Sequence, residues 1–342
     1  MSSKNSTQLQ TMNRRSFLKS AAVQIGSFGA ILSGCGNPLK VDNSKAPENC
    51  TFGVITDAQY CYTPDKSGNR YFRDTLHKMN ECVKVLNSMD LDFVIHLGDF
   101  IDRYNSKSEA EESLTCFQEL NEGMRVDPAN SGQRLLGFSS IKTHKYHVLG
   151  NHDYWAYRDH YSIDQLYHDY GLDNKGYYTF SPRNNSIFKF IVLDSYQNGS
   201  YISREQRRWL YDELASAEDE NKLVILFSHI GIYPDHQHNW IKNEQGIFDI
   251  FDKFSCIAAY MNGHNHSGNY GMRKGVHYIN FKGMVESPYY TTSNSSTAFS
   301  VVSLSEDKAT INGFGRDSHG YGDIFADGTY QFSKTQSRSF FM

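Results

Sequence analysis

From Thr51 onward, short apolar runs alternate with stretches whose apolar residues recur every three or four positions. The runs at 52–55, 91–97, 146–149, 187–193, 223–227, 257–261 and 276–281 have strand length and favour β-branched and aromatic side chains. Between the first two, Tyr71, Phe72, Leu76, Met79, Val83 and Leu86 fall at helical spacing and predict a helix over 70–88. Residues 106–120 and 204–217 read the same way, with Trp209 and Leu210 on the inner face of the later helix. The runs at 297–304 and 309–314 predict a closing antiparallel pair. A run such as 223–227, apolar at every position, needs cover on both faces. Strands alternating with helices provide that cover, so the fold class is α/β. No linker divides 51–342, which is expected to form one domain.

The N-terminal segment breaks this pattern. Asn13-Arg14-Arg15-Ser16-Phe17-Leu18-Lys19 sets two arginines before an apolar pair and a lysine, and 21–32 is weakly apolar. The stretch closes on Leu32-Ser33-Gly34-Cys35, with no acidic residue before Asp42. This string resembles a bacterial twin-arginine export signal joined to a lipoprotein cleavage box. The resemblance implies a signal peptide over 1–34, a lipid on the Cys35 thiol and a polar tether over 35–50. It places the protein in a bacterial cell envelope, as periplasmic or surface lipoprotein, held to the membrane by acyl chains. No apolar run approaches the roughly 18 residues that span a bilayer.

Composition narrows the classes. With 39% hydrophobic residues in 342, the chain can fill a core and is not of the disordered type. Lys+Arg is 34 against 38 Asp+Glu, a formal charge of −4 that falls to −8 once four basic residues leave with the signal. Such a balance excludes a nucleic-acid polymer as a partner bound by bulk electrostatics. Six cysteines with no CxxC spacing exclude a zinc ribbon, and lipidation of Cys35 leaves an odd number for any disulfide framework.

The chemistry collects at strand ends. Asp57-Ala58-Gln59, Gly98-Asp99-Phe100-Ile101-Asp102, Gly150-Asn151-His152-Asp153, Ser228-His229 and Gly263-His264-Asn265-His266 each follow a predicted strand. Singly, each is an ordinary turn or cap. Together they bring carboxylates, amide oxygens and imidazoles to one rim, a donor set suited to a pair of divalent cations.

The ordered set D-x-H/Q, GDxxD, GNHD, SH and GHxH resembles the calcineurin-like metallophosphoesterase superfamily over 51–314. That resemblance implies a four-layer α/β/β/α sandwich, two mixed sheets flanked by helices, and a two-metal phosphoester hydrolase. By position, Asp57, Gln59 and His266 would hold one ion, Asn151, His229 and His264 the other, and Asp99 would bridge them. His152 would donate a proton or hydrogen bond to the leaving group, and Asp102 would orient it; the plain alternative for Asp102 is a helix N-cap. Most members carry His at the position of Gln59. The DxQ variant, with Arg70-Tyr71-Phe72-Arg73 and the 282–288 string KGMVESP, resembles the manganese-dependent ADP-ribose/CDP-alcohol diphosphatases. An amide oxygen in place of imidazole tilts the site toward Mn²⁺, with Mg²⁺ or Fe²⁺ as alternatives. Arg70 and Tyr71 are candidate substrate contacts, set against the alternative of a solvated Arg70 and a Tyr71 packed on a helix face.

The expected function is therefore hydrolysis of phosphoester or pyrophosphate bonds in small molecules such as ADP-ribose or CDP-alcohols. The alternatives are a general phosphomonoesterase, a cyclic-nucleotide phosphodiesterase, or a non-enzymatic surface lipoprotein that binds a ligand.

Overall fold

A computed structural model of the chain describes residues 49–62, 66–102, 110–124, 134–158, 161–182, 187–197, 199–233, 241–289, 297–316 and 328–331. The signal, Cys35 and nearly all of the expected tether lie outside the described residues. In chain order the elements are β1 (Cys50–Ile55), α1 (Thr75–Leu86), β2 (Phe93–His96), α2 (Ala110–Glu122), β3 (His144–His147), α3 (Asn151–Arg158) and α4 (Ile163–Asp169). There follow β4 (Tyr178–Phe180), β5 (Phe188–Val192), α5 (Arg204–Asp219), β6 (Leu223–Ser228), α6 (Glu244–Phe251) and β7 (Ile257–Asn262). The described elements close with β8 (Asn269–Arg273), β9 (Val276–Asn280), β10 (Ala298–Leu304), β11 (Lys308–Gly315) and β12 (Gly328–Gln331).

The strands form two sheets, ordered β12-β11-β10-β1-β2-β3 and β4-β5-β6-β7-β9-β8. Strands β1, β2 and β3 run parallel, as do β5, β6, β7 and β9; the remaining strands pair antiparallel at the flanks. The expected antiparallel pair near the C-terminus is β10–β11, in register from Ala298–Gly315 to Leu304–Ala309.

Side-chain alternation explains the layering. In β1 and β2, Phe52, Val54, Phe93 and Ile95 enter one cluster with Phe190, Val192, Ile225 and Phe227 of the other sheet. Their neighbours Ile55 and Val94 turn the other way, onto Leu76, Met79 and Val83 of α1 and Phe117 of α2. On the second sheet Ile191, Val224 and Leu226 face Leu210 and Leu214 of α5 and Ile247 of α6. This gives the four layers α/β/β/α. The Phe52 and Phe93 rings stack at 4.6 Å between the sheets, with Phe190 and Phe227 edge-on. Each fully buried ring contributes about 1.5–3 kcal/mol through removal from water.

Some boundaries differ from the periodicity. The helix predicted over 70–88 starts at Thr75, because the backbone of Arg70 is bridged to Glu286 and the Tyr71 N–H donates to the Val285 carbonyl. The strand predicted over 146–149 ends at His147, and the helix predicted over 106–120 spans Ala110–Glu122. Helix α3 begins inside the GNHD string, where polar residues mask the helical period.

Parallel strand direction places the site. Asp57 follows β1, Asp99 follows β2, Asn151 follows β3, His229 follows β6 and His264 follows β7. The two sheets are joined at this rim, because the Met284 and Val285 N–H groups beyond β9 donate to the carbonyls of Thr56 and Asp57 at 3.0 and 2.9 Å.

Candidate metal centre

Asp99 sits at the middle of the rim with 0% of its surface exposed. Its Oδ2 accepts from Gln59 Nε2 at 3.1 Å and lies 3.2 Å from His229 Nε2. On one side, His266 Nε2 lies 3.2 Å from Asp57 Oδ1. On the other, His229 Nε2 lies 3.2 Å from both Asn151 Oδ1 and His264 Nδ1. Ligand atoms of Asp99, His229 and His264 all fall within 4.8 Å of one another. The structure thus brings the seven expected ligand positions together, in two groups with Asp99 between them.

The donor chemistry fits a pair of cations. Gln59 Oε1 and His264 Nε2 are buried atoms with no hydrogen-bond partner among the described residues, and Asp57 Oδ1 has only the ion-pair contact with His266. An unpartnered buried acceptor costs roughly 1–3 kcal/mol, so these atoms call for a partner of another kind. Gln59 spends its amide nitrogen on Asp99, which leaves its carbonyl oxygen as the free donor. The tautomers are set from behind. His229 Nδ1–H donates to the Leu97 carbonyl at 2.8 Å, and His266 Nδ1 meets Glu286 Oε1 at 2.9 Å, so both Nε2 atoms face the centre.

Electrostatics point the same way. Burial would raise the Asp57 carboxyl, but His266 outweighs it and brings the group to about 2. Burial likewise works against Asp99, and His229 and His152 hold it well below the usual range. Burial lowers each imidazole, yet Asp99 pushes His229 up to about 9 and Asp57 pushes His266 up to about 8. His264, buried and beside His229, falls to about 4. The carboxylates therefore gather positive charge, and a cation entering here displaces protons from His229 and His266.

The remaining expected residues are placed as follows. His152 lines the same cleft, with Nε2 3.9 Å from Asp99 Oδ2 and Nδ1 in close contact with Asp102 Oδ1. Asp102 lies eight positions before α2 and is not its N-cap; its carboxylate faces His152. Burial lowers His152, and the charges of Asp99 and Asp102 more than offset it, so its proton is held more tightly than usual. Arg70 lines the cleft, and its charge acts on Glu286, His152 and His266. Tyr71 sits under the Lys66 ammonium, 4.6 Å from ring centre, and is not among the cleft-lining residues.

Long-range supports hold this geometry. The buried Asp153 carboxylate accepts from the N–H groups of Asp99, Phe100 and Gly150 at 2.8–2.9 Å and from the Tyr170 hydroxyl at 2.7 Å. A Cβ on Gly150 would lie 2.1 Å from Asp99 Oδ1, so only glycine lets that strand end approach. Lys78, fully buried on α1, sets Nζ 2.7–3.2 Å from four successive carbonyls, Met284, Val285, Glu286 and Ser287, which share its three N–H groups. That segment carries Glu286 to His266. Asp153, Lys78 and Glu286 escape a sequence reading because their partners lie far along the chain or outside any motif. Two of the three stand in strings already quoted, Asp153 in GNHD and Glu286 in KGMVESP.

The fold and site define a metal-dependent phosphoesterase. The calcineurin-like phosphoesterase family model matches residues 50–268, and the chain belongs to that family. Its curated relatives include the manganese-dependent ADP-ribose/CDP-alcohol diphosphatases of Mus musculus and Homo sapiens, 26% and 25% identical to it. Both alignments cover 78% of this chain, with 91% and 90% of the relatives. Among solved structures, a dimetal phosphatase from Danio rerio shares the fold with a TM-score of 0.66. It is 20% identical, with 83% of this chain and 99% of that one covered.

Glu286→Gln is expected to weaken metal retention by about 10- to 100-fold. Lys78→Met frees the segment that carries Glu286 and should give a loss of similar size, with the double variant little worse than either. Competition against a graded chelator reads this; fully multiplicative losses would show that Lys78 does not act through Glu286.

Proposed function

We propose that the chain is a two-metal hydrolase of diphosphate-linked nucleotides such as ADP-ribose and CDP-alcohols, with manganese as its preferred ion. The observation that carries this reading is Gln59, whose buried carbonyl oxygen faces the centre where most family members have imidazole. Asp57, Gln59 and His266 would hold one ion, Asn151, His229 and His264 the second, and Asp99 both. Three oxygen donors, from Asp57, Gln59 and Asp99, favour Mn²⁺ over Zn²⁺ on the first side. The printed activity of the mouse and human relatives supports the substrate class.

When bound, the ion pair supplies Lewis-acid charge that activates water and offsets charge on the phosphoryl oxygens. The chain's own residues do the rest. Arg70 is a cation on the wall of the cleft, placed to bind a phosphate of the substrate. Asp102 accepts from His152 Nδ1–H and so orients the ring with Nε2 toward the cleft. His152, kept protonated by Asp99 and Asp102, delivers the Nε2 proton to the leaving phosphate oxygen. Buried Asp153 fixes the Asp99 and Gly150 backbones so that His152 and the carboxylates keep their separation.

We also propose export of the folded chain and anchoring through a lipid on Cys35. The support is the 13–19 and 32–35 strings. Cys35→Ala is expected to move the protein from the membrane to the soluble fraction of the envelope; membrane retention of that variant would contradict the anchor.

Hydrolysis with Mn²⁺ tests the activity. ADP-ribose and CDP-choline should be cleaved in preference to a p-nitrophenyl monoester and a cyclic nucleotide, with Asp99→Asn inactive. Gln59→His should lower the ratio of Mn²⁺- to Zn²⁺-supported activity by about tenfold or more, as ligand softness dictates. Preference for the monoester or the cyclic nucleotide would overturn the diphosphatase reading.

A further inference from the structure

The cleft has a wall that the steps above do not use. Helix α3 opens on Asn151 and His152, and one turn later it carries Trp155 on the same face as Asn151. The Trp155 ring lies 4.8 Å from the His152 ring, inclined by 59°. Its Nε1–H donates to the Tyr196 hydroxyl at 2.8 Å, and the two rings meet edge to face at 5.7 Å and 87°. Both are half-buried and line the cleft that also contains Asp99, Asn151 and Arg70.

This wall is rigid. The buried Asp194 carboxylate accepts from the N–H groups of Tyr196 and Gln197, both at 3.1 Å, and from the Tyr154 hydroxyl. The Asp194 backbone is in turn paired both ways with the Gln206 amide of α5, at 2.9 Å each. Trp155 therefore stands on the helix that carries Asn151 and His152, and Tyr196 on a loop tied to the opposite helical layer. Side chains held in place in this way lose little conformational entropy when a ligand arrives.

Trp155 has a single polar atom, and the wall consumes it. With Nε1–H committed to Tyr196, Trp155 offers the cleft no hydrogen-bond donor, only apolar aromatic ring. Such a surface holds planar aromatic groups and is indifferent to their hydrogen-bonding edges. That indifference suits substrates that differ in their base, adenine in one and cytosine in another.

We infer that Trp155 and Tyr196 form a base subsite, a stacking platform for the nucleobase of a nucleotide substrate, set one helical turn from His152. The inference deepens the diphosphatase reading and rests on it for the phosphate end of the substrate. With the base on this platform, the bond to be cleaved falls between Trp155 and the candidate ligands, beside His152.

The test uses the full chain loaded with Mg²⁺. The chain has three tryptophans, and AMP and CMP should quench their fluorescence, whereas ribose 5-phosphate, a phosphate without a base, should not. Trp155→Phe should lose that quench while keeping KM for ADP-ribose and CDP-choline within about threefold, because a phenyl ring still stacks. Trp155→Leu should raise both KM values about tenfold with the loss falling on KM rather than kcat, and leave a base-free dialkyl diphosphate unaffected. Equal losses on the base-free substrate, or a loss confined to kcat, would overturn the inference and reduce Trp155 to packing on His152. AMP quenching that vanishes in Trp155→Phe, in a protein that cleaves neither nucleotide substrate, would uphold the base subsite and overturn the diphosphatase reading. Quenching by ribose 5-phosphate equal to that by AMP would overturn the base subsite whatever the turnover.

Discussion

The structure depends on Asp99 being held, fully buried, in a backbone conformation that side chains avoid. Its φ is 55°, and Asp57, Gln59 and His264 share the left-handed region at 51°, 46° and 71°. Four residues expected to hold metal are thus among the few non-glycine positions of this kind. Each such residue costs of order 1–3 kcal/mol and persists only where its surroundings over-determine it. Here they do. The Asp57 and Gln59 N–H groups donate to the carbonyls of Gly98 and Asp99, Asp153 gathers the N–H groups beyond β2 and β3, and the His264 N–H donates to Asp57 Oδ2. The strain aims carboxylate and imidazole atoms inward, at the point where the ends of two sheets meet.

That convergence explains why the fold has two parallel-centred sheets face to face. Neither sheet carries a complete donor set. The first contributes Asp57, Gln59, Asp99 and Asn151, the second His229, His264 and His266. The aromatic layer around Phe52 and Phe93 fixes the separation of the sheets. The segment after β9 then closes the rim: it hydrogen-bonds Thr56 and Asp57, carries Glu286 to His266, and is gripped by Lys78. The Lys78 Nζ shares its N–H groups among four carbonyls and so orients dipoles that would otherwise face one another, even though burial brings the group down to about 7.

Much of this was legible in the sequence, for identifiable reasons. Strands such as Leu223–Ser228, apolar throughout, announce burial on both faces, and the polar clusters immediately after them announce a rim of strand ends. The seven positions expected as ligands occur at those ends, and the structure gathers them all. Asp102 could be read as a cap or as the partner of His152, and its contact with the His152 ring supports the second. Arg70 and Tyr71 fit a helical period but lie outside the helix, since 285–286 captures their backbone from more than two hundred residues away. Tyr71 consequently ends beneath Lys66 rather than in the cleft. Lys78 and the Trp155–Tyr196 pair carry no local signature, because each is defined by a partner distant in sequence.

The proposed centre has two cation positions sharing Asp99. The most direct measurement is metal stoichiometry by calorimetry and elemental analysis after reconstitution with Mn²⁺ at neutral pH. Two equivalents per chain are expected, with proton release on binding, because His229 at about 9 and His266 at about 8 must give up protons to become ligands. Asp99→Asn should lower the affinity at both positions together. One equivalent per chain, or an Asp99→Asn protein that keeps both ions with unchanged affinity, would contradict it.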